Sequence, residues 1–303
     1  MALLTHPITI LDGGMGQELL ARSKREVTTM WSADIMLHEP ELVRDLHYDF
    51  IQAGATVITL NTYTATPQRL QLNNTLAQLS QLHVSAIRAA QDAITLSGKT
   101  NINIAGCLPP LVASYHPDES PDFALSLDAY RQIVSLQQAA VDLFICETMS
   151  SINEAKAACT AAKESGKPVW VAFSLSDENP NILRGGDRLE DALNALVPSY
   201  TDVILLNCSR PETIEHALPL LTQSVAHSGV YANGFTAVDS LYPGTTVASL
   251  SARQDLNPVQ YAQHTLLWAN AGVTIIGGCC EIRPNHIQQL CSTLEQAGYS
   301  LTK

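Results

Sequence analysis

The sequence predicts a (β/α)8 barrel, and three observations carry that expectation. Apolar runs of strand length alternate strictly with helical patterns along the 303 residues, eight of each; such alternation implies a parallel sheet with helices packed outside it. The runs are nearly continuous in Val, Ile and Leu, as in VWVAFSL and DVILLNCS, the composition of strands covered on both faces. Eight βα units in about 300 residues fit one barrel, so residues 1–303 are expected to form a single barrel domain. A doubly wound open sheet is the alternative, weakened because no GxGxxG turn follows the first run.

The elements follow in order. Residues 8–14 read as the first strand. A helix over 40–54 has Pro at its start and Gly at its end, the expected asymmetry. Residues 56–64 (TVITLNTYT) are rich in β-branched side chains and read as the second strand. A helix over 75–97 stops before Gly98. Strands over 102–111, 143–149, 169–175, 202–209, 229–235 and 274–280 alternate with helices over 127–141, 152–166, 188–200, 212–225, 258–272 and 285–298. A Gly/Ser/Thr-rich loop follows the seventh strand.

Composition narrows the function. Hydrophobic residues make up 46% and charged residues 15% of the chain, which fits a compact enzyme better than a disordered or fibrous protein. The formal net charge is −12 and no basic run occurs. That argues against phosphate-backbone binding and disfavours adhesion to anionic membranes. The first strand begins too early to leave room for a secretory signal, and no apolar stretch is long enough to span a bilayer; a cytoplasmic protein is expected. Seven cysteines, an odd number, do not read as a disulfide framework.

Barrel enzymes place their chemistry at the C-terminal ends of the strands. That rule selects Asp12-Gly13-Gly14, Asn61-Thr62-Tyr63, Glu147-Thr148, Asn207-Cys208, Asn233-Gly234 and Gly277-Gly278-Cys279-Cys280. Cys208 and the Cys279-Cys280 pair leave strands that flank the seventh, about 10 Å apart. Leaning inward, three thiolates would suit a tetrahedral zinc with one open position, and their softness disfavours magnesium or calcium. They would equally suit small buried hydrophobes, and the residues alone leave both readings open. Adjacent side chains on a strand face opposite ways, so a shared site requires a bend, which the two glycines are expected to supply. Cys107, Cys146, Cys159 and Cys291 are expected to pack. Asp12 and Glu147 end apolar strands, where a carboxylate needs a charged or hydrogen-bonded partner; a substrate ammonium or a structural contact would serve. No histidine falls at a strand end, and neither a GxSxG elbow nor a P-loop is present.

These stretches, with Leu11-Asp12-Gly13-Gly14-Met15-Gly16, Trp31-Ser32-Ala33 and Ala53-Gly54-Ala55, resemble the homocysteine S-methyltransferase family from residue 11 to 280. The resemblance implies a zinc-containing barrel in which Cys208, Cys279 and Cys280 bind the metal. Asp12 and Glu147 would hold the homocysteine amino group, with the Gly13 backbone and the Thr62 hydroxyl receiving its carboxylate. Trp31 and Asn233 are placed on the donor side; a Trp face suits a methylsulfonium cation. The zinc-bound substrate thiolate would attack the methyl carbon with no separate general base. Among the family's donors, S-methylmethionine is expected first, with S-adenosylmethionine as a side activity. Thr148 and Thr66 depart from the betaine-using branch, and no cobalamin module is expected. Ala232 and the exit Gly106-Cys107-Leu108-Pro109-Pro110 depart from many relatives. The alternatives are betaine, dimethylsulfoniopropionate or a selenium acceptor (selenocysteine or selenohomocysteine) on the same fold, and, in another class, a barrel that binds zinc or an amino acid without catalysis. The sequence assigns no macromolecular partner, and it does not fix the oligomeric state or the role of loop 235–257.

Overall fold

The computed structural model describes residues 7–25, 30, 32–197, 199–238, 241 and 250–303. Eight parallel strands are β1 (Thr9–Ile10), β2 (Val57–Thr59), β3 (Asn103–Leu108), β4 (Leu143–Met149), β5 (Val169–Phe173), β6 (Val203–Asn207), β7 (Ser228–Tyr231) and β8 (Ile275–Ile276). Their order is β1-β8-β7-β6-β5-β4-β3-β2. The ring closes between β1 and β2 through a parallel bridge of Leu11 with Val57, with Thr56 N–H donating to Ile10 O at 2.8 Å and Asp12 N–H to Val57 O at 3.0 Å. The expected barrel is therefore the observed one, and the open sheet is excluded.

Two apolar layers hold it. Inside the ring, Leu11, Val57, Leu143, Ile145, Leu205 and Ile275 stack as one cluster. Alternate residues such as Ile10, Ile58, Phe144, Ile204 and Ile276 face outward into the larger core under the helices. That alternation is the period-two rule of a strand, and both faces are buried, which explains the unbroken apolar runs.

The eight expected helices are present in the main as α3 (Pro40–Ala53), α5 (Leu79–Ser97), α6 (Phe123–Gln137), α7 (Ile152–Lys163), α8 (Leu189–Leu196), α9 (Pro211–Ser224), α10 (Pro258–Asn270) and α11 (Pro284–Gln296). Gly54 and Gly98 cap α3 and α5 in the left-handed conformation, as C-terminal glycines do. Three short helices lie outside the expected alternation: α1 (Met15–Arg22), α2 (Ser32–His38) and α4 (Pro67–Leu72). They sit in the loops after β1 and β2, and each is too short for its periodicity to stand out. Every strand but β4, which runs over the expected 143–149, is shorter than expected at its C-terminal end. Regular pairing ends at Thr59 in β2 and at Ile276 in β8; single backbone bonds such as Leu60 N–H to Ala105 O and Gly277 N–H to Val230 O carry each chain further before it turns to build the rim. None of the described helices is long and apolar enough to cross a membrane.

Candidate active site at the barrel rim

The C-terminal ends of the strands surround a cavity lined by Asp12, Gly13, Glu147, Cys208, Cys279 and Cys280, with Tyr63, Tyr115, Phe235 and Leu241 among its other walls. Period two delivers Glu147 to this cavity, two residues on from the inward-facing Ile145. The β4–β5 register then shifts between Cys146 and Met149, and Thr148 takes a positive φ of 61°. Such a bulge re-aims side chains beside a site. Asn207 locks it in place: its Oδ1 accepts from Thr148 N–H at 3.1 Å and its amide donates to Thr148 Oγ1 at 3.0 Å.

The three rim thiols converge. Cys208, Cys279 and Cys280 hold their sulfurs within 4.8 Å of one another, with Cys208 Sγ 3.9 Å from Cys280 Sγ. Cys208 reaches the group through a φ of 47°. The bend that lets Cys279 and Cys280 share one side is not made by the glycines. Gly277 and Gly278 continue the ladder, donating to Val230 O and Asp12 O at 3.0 Å each, and neither has a positive φ. The chain turns one step later, where Ile282 N–H returns to Cys279 O at 3.1 Å and Glu281 takes a φ of 65°. The glycines serve close approach instead. A Cβ on Gly277 would lie 2.5 Å from Leu11 Cβ, and one on Gly278 would collide with the Ile282 side chain. From outside the barrel, Tyr261 of α10 donates to Gly277 O at 2.7 Å, so the strand carrying the thiols is held on both sides.

Electrostatics mark the same cavity. Burial pushes the Asp12 carboxyl up to about 8, against the Thr59 N–H that donates to it at 2.8 Å, and Glu147 adds to the rise. Burial likewise pushes Glu147 up to about 7, opposed by a hydrogen bond from Cys107 Sγ at 2.9 Å. Two carboxylates so placed are costly to ionise until a cation joins them. Hydrogen bonds from Cys279 and Cys280 hold the Cys208 thiol well below its usual range. Tyr115 Oη also lies 2.9 Å from Cys208 Sγ, and the Arg184 guanidinium sits 4.9 Å over the Tyr115 ring.

Six of the expected site residues thus meet at one cavity: Asp12, Gly13, Glu147, Cys208, Cys279 and Cys280. Thr62 does not line it. Its hydroxyl is buried one layer behind and accepts from Gln137 Nε2 at 3.2 Å. Asn233 is also buried behind the wall, its Oδ1 accepting from Phe235 N–H at 3.2 Å and so shaping the turn that presents Phe235. Trp31 and residues 239–240 and 242–249 of the loop lie outside the described residues. Two participants went unread. Cys107, expected to pack, instead faces Glu147; its parity with the inward-facing Ala105 was the available signal. Tyr115, in the loop after β3, carried none. Cys146 and Cys159 pack in the outer core as expected.

The sequence profile described as Homocysteine S-methyltransferase matches residues 9–294. The homocysteine S-methyltransferase of Escherichia coli K12 is 30% identical over 301 residues, covering 93% of this chain and 94% of that one. The S-methylmethionine–homocysteine S-methyltransferase of Pongo abelii is 26% identical over 302 residues, covering 93% and 77%. In fold, the metallated form of the E. coli homocysteine methyltransferase MmuM superposes with a TM-score of 0.79 at 24% identity, covering 95% of this chain and 96% of that one.

Proposed function

Since the chain belongs to the homocysteine S-methyltransferase family, and so transfers a methyl group to homocysteine to make methionine, we propose that its donor is a sulfonium compound, S-methylmethionine first, and that Cys208, Cys279 and Cys280 hold a zinc ion. The observation that carries this reading is the meeting of three thiols and two buried carboxylates in one cavity. The donor set fits the metal: three soft sulfurs within reach of one ion suit zinc and not magnesium or calcium. The E. coli neighbour of the same fold has a metallated form. Bound there, zinc would keep the acceptor thiol deprotonated at neutral pH, when a free thiol is mostly protonated.

The chain's own residues do the rest. Asp12 and Glu147 bind the acceptor's ammonium, whose charge offsets the cost of two buried carboxylates. Gly13 lines the cavity and is packed from behind, where a Cβ would meet the Ile282 carbonyl and the Phe50 ring; its backbone receives the acceptor carboxylate. Fixing the amino-acid end sets the direction of the sulfur, and such alignment of the reacting partners can supply several kcal/mol. The thiolate attacks the methyl carbon. A sulfur–carbon bond forms as the donor's sulfonium–carbon bond breaks, and the donor leaves as a neutral thioether, so no proton has to be moved at that step.

Tyr63, Tyr115 and Phe235 give the cavity an aromatic wall that suits a sulfonium cation. Position 148, expected to be aromatic in a betaine user, holds a buried Thr bonded to Asn207. Position 66 holds a Thr that caps α4 and donates to Leu111 O at 2.6 Å. Neither adds to an aromatic cage. The name of the Pongo abelii relative supports the same donor. All seven cysteines are unpaired, which supports a cytoplasmic setting. The test is methionine formed from homocysteine with S-methylmethionine, S-adenosylmethionine, dimethylsulfoniopropionate or betaine. S-methylmethionine should give the highest kcat/KM, and betaine alone giving product would overturn the donor assignment.

A further inference from the structure

Behind Glu147 lies a buried polar chain with a single direction. Gln137 of α6 is fully buried. Its Oε1 accepts from Cys107 N–H at 3.0 Å, which fixes the orientation of the amide. Its Nε2 therefore carries the protons, and it lies 3.2 Å from Thr62 Oγ1 and 3.1 Å from His83 Nδ1. His83 Nε2 faces Ala65 O at 3.0 Å and must hold the ring proton, leaving Nδ1 as the acceptor. Burial pushes this histidine's pKa down, in keeping with a neutral ring. Thr62, having accepted from Gln137, keeps its own proton free to donate on the side of the Cys107 thiol. Cys107 in turn is left to donate to Glu147. Gly106 makes the arrangement possible, because a Cβ there would lie 2.7 Å from Gln137 Oε1.

We propose that Cys107 is a positioning residue for the acceptor: its thiol, 2.9 Å from Glu147 Oε1 and backed by Thr62 and Gln137, occupies one carboxylate oxygen and aims the other at the homocysteine amino group. This rests on the ammonium role of Glu147 proposed above. The thiol is suited to the task because burial and the nearby carboxylate push its pKa well up, so it stays a neutral donor beside a negative charge. A buried carboxylate without that donor would turn freely about its last bonds and present the ammonium with a poorer partner.

The test pairs two acceptors, homocysteine and 4-mercaptobutyrate, which has the same thiol chain without the amino group. Cys107→Ala should raise KM for homocysteine about tenfold, the size of one hydrogen bond to a charged group. It should leave kcat within about twofold and zinc per chain unchanged. The KM for 4-mercaptobutyrate should not move. Cys107→Ser, which keeps a donor, should restore most of the homocysteine KM. Should the Ala variant fail to fold, Cys107→Val, suited to a buried strand, takes its place against the Ser variant. An unchanged homocysteine KM, an equal rise for both acceptors, or a Ser variant no better than Ala or Val would overturn the role of Cys107. A wild-type enzyme that does not prefer homocysteine over 4-mercaptobutyrate would instead remove the ammonium role of Glu147, and this inference with it.

Discussion

Glu147→Gln should make the substrate-free protein more stable while weakening its hold on homocysteine. The side chain keeps its shape, and its amide oxygen can still accept from Cys107. What is lost is a carboxyl whose pKa rises from 4.5 unfolded to about 7 folded. A group raised in the folded state contributes stability that is complete below pH 4.5 and is lost as pH rises through about 7. At neutral pH the wild type has therefore given up about 2 to 3 kcal/mol, taking 1.36 kcal/mol per pKa unit and allowing for the cavity the group touches. Urea denaturation of both proteins between pH 4.5 and 7.5, without homocysteine, measures it. The variant's advantage should be near zero at the acid end and grow to about 2 kcal/mol at the neutral end. Groups remote from the cavity cancel in the difference, while Asp12, whose pKa Glu147 helps to raise, is relieved in the variant and adds to its advantage in the same direction. Saturating homocysteine should reverse the ranking, because only the wild type gains strongly from the ligand. A variant less stable than wild type at pH 7, or a difference flat across the range, would refute the account of Glu147 as an uncompensated carboxylate awaiting a cation.

Other outcomes follow from neighbouring parts of the molecule. Gly278→Ala should destabilise the protein by about 1 to 3 kcal/mol through overpacking against Ile282 and lower its bound zinc per chain, read by denaturation and metal analysis; full zinc occupancy would show the turn to be tolerant. His47, fully buried in α3, has its pKa pushed down by burial from 6.5 to about 4. Its neutral form gives stability that is present above pH 6.5 and lost as pH falls toward 4, about 3 kcal/mol in all. His47→Leu should flatten that acid limb, and an unaltered limb would place the loss elsewhere.

The barrel was legible because its strands are buried on both faces, and the alternation of runs needs no long-range information. The rim residues were legible by one further rule, that function gathers at strand ends, and the GGCC stretch concentrated it. The details that depend on the backbone's path beyond the ladder were not. The glycines of GGCC read as a bend, yet the turn is made by Glu281 in a left-handed conformation, a role a glutamate does not advertise. The family resemblance implies Thr62 as a contact for the acceptor carboxylate. Leu60 still pairs with Ala105, the chain turns where Thr62 N–H returns to Leu60 O at 2.7 Å, and the Thr62 hydroxyl lies against Gln137. Cys107 read as packing because a thiol on an apolar strand normally is, and only the partner strand β4 shows that its face carries Glu147.

X-ray absorption at the zinc edge tests the central claim most directly. The zinc-loaded protein should show three sulfur ligands, supplied by Cys208, Cys279 and Cys280, and a fourth sulfur on adding homocysteine. Three sulfurs that remain three at saturating homocysteine, or a zinc signal that persists unchanged in Cys208→Ala, would contradict it.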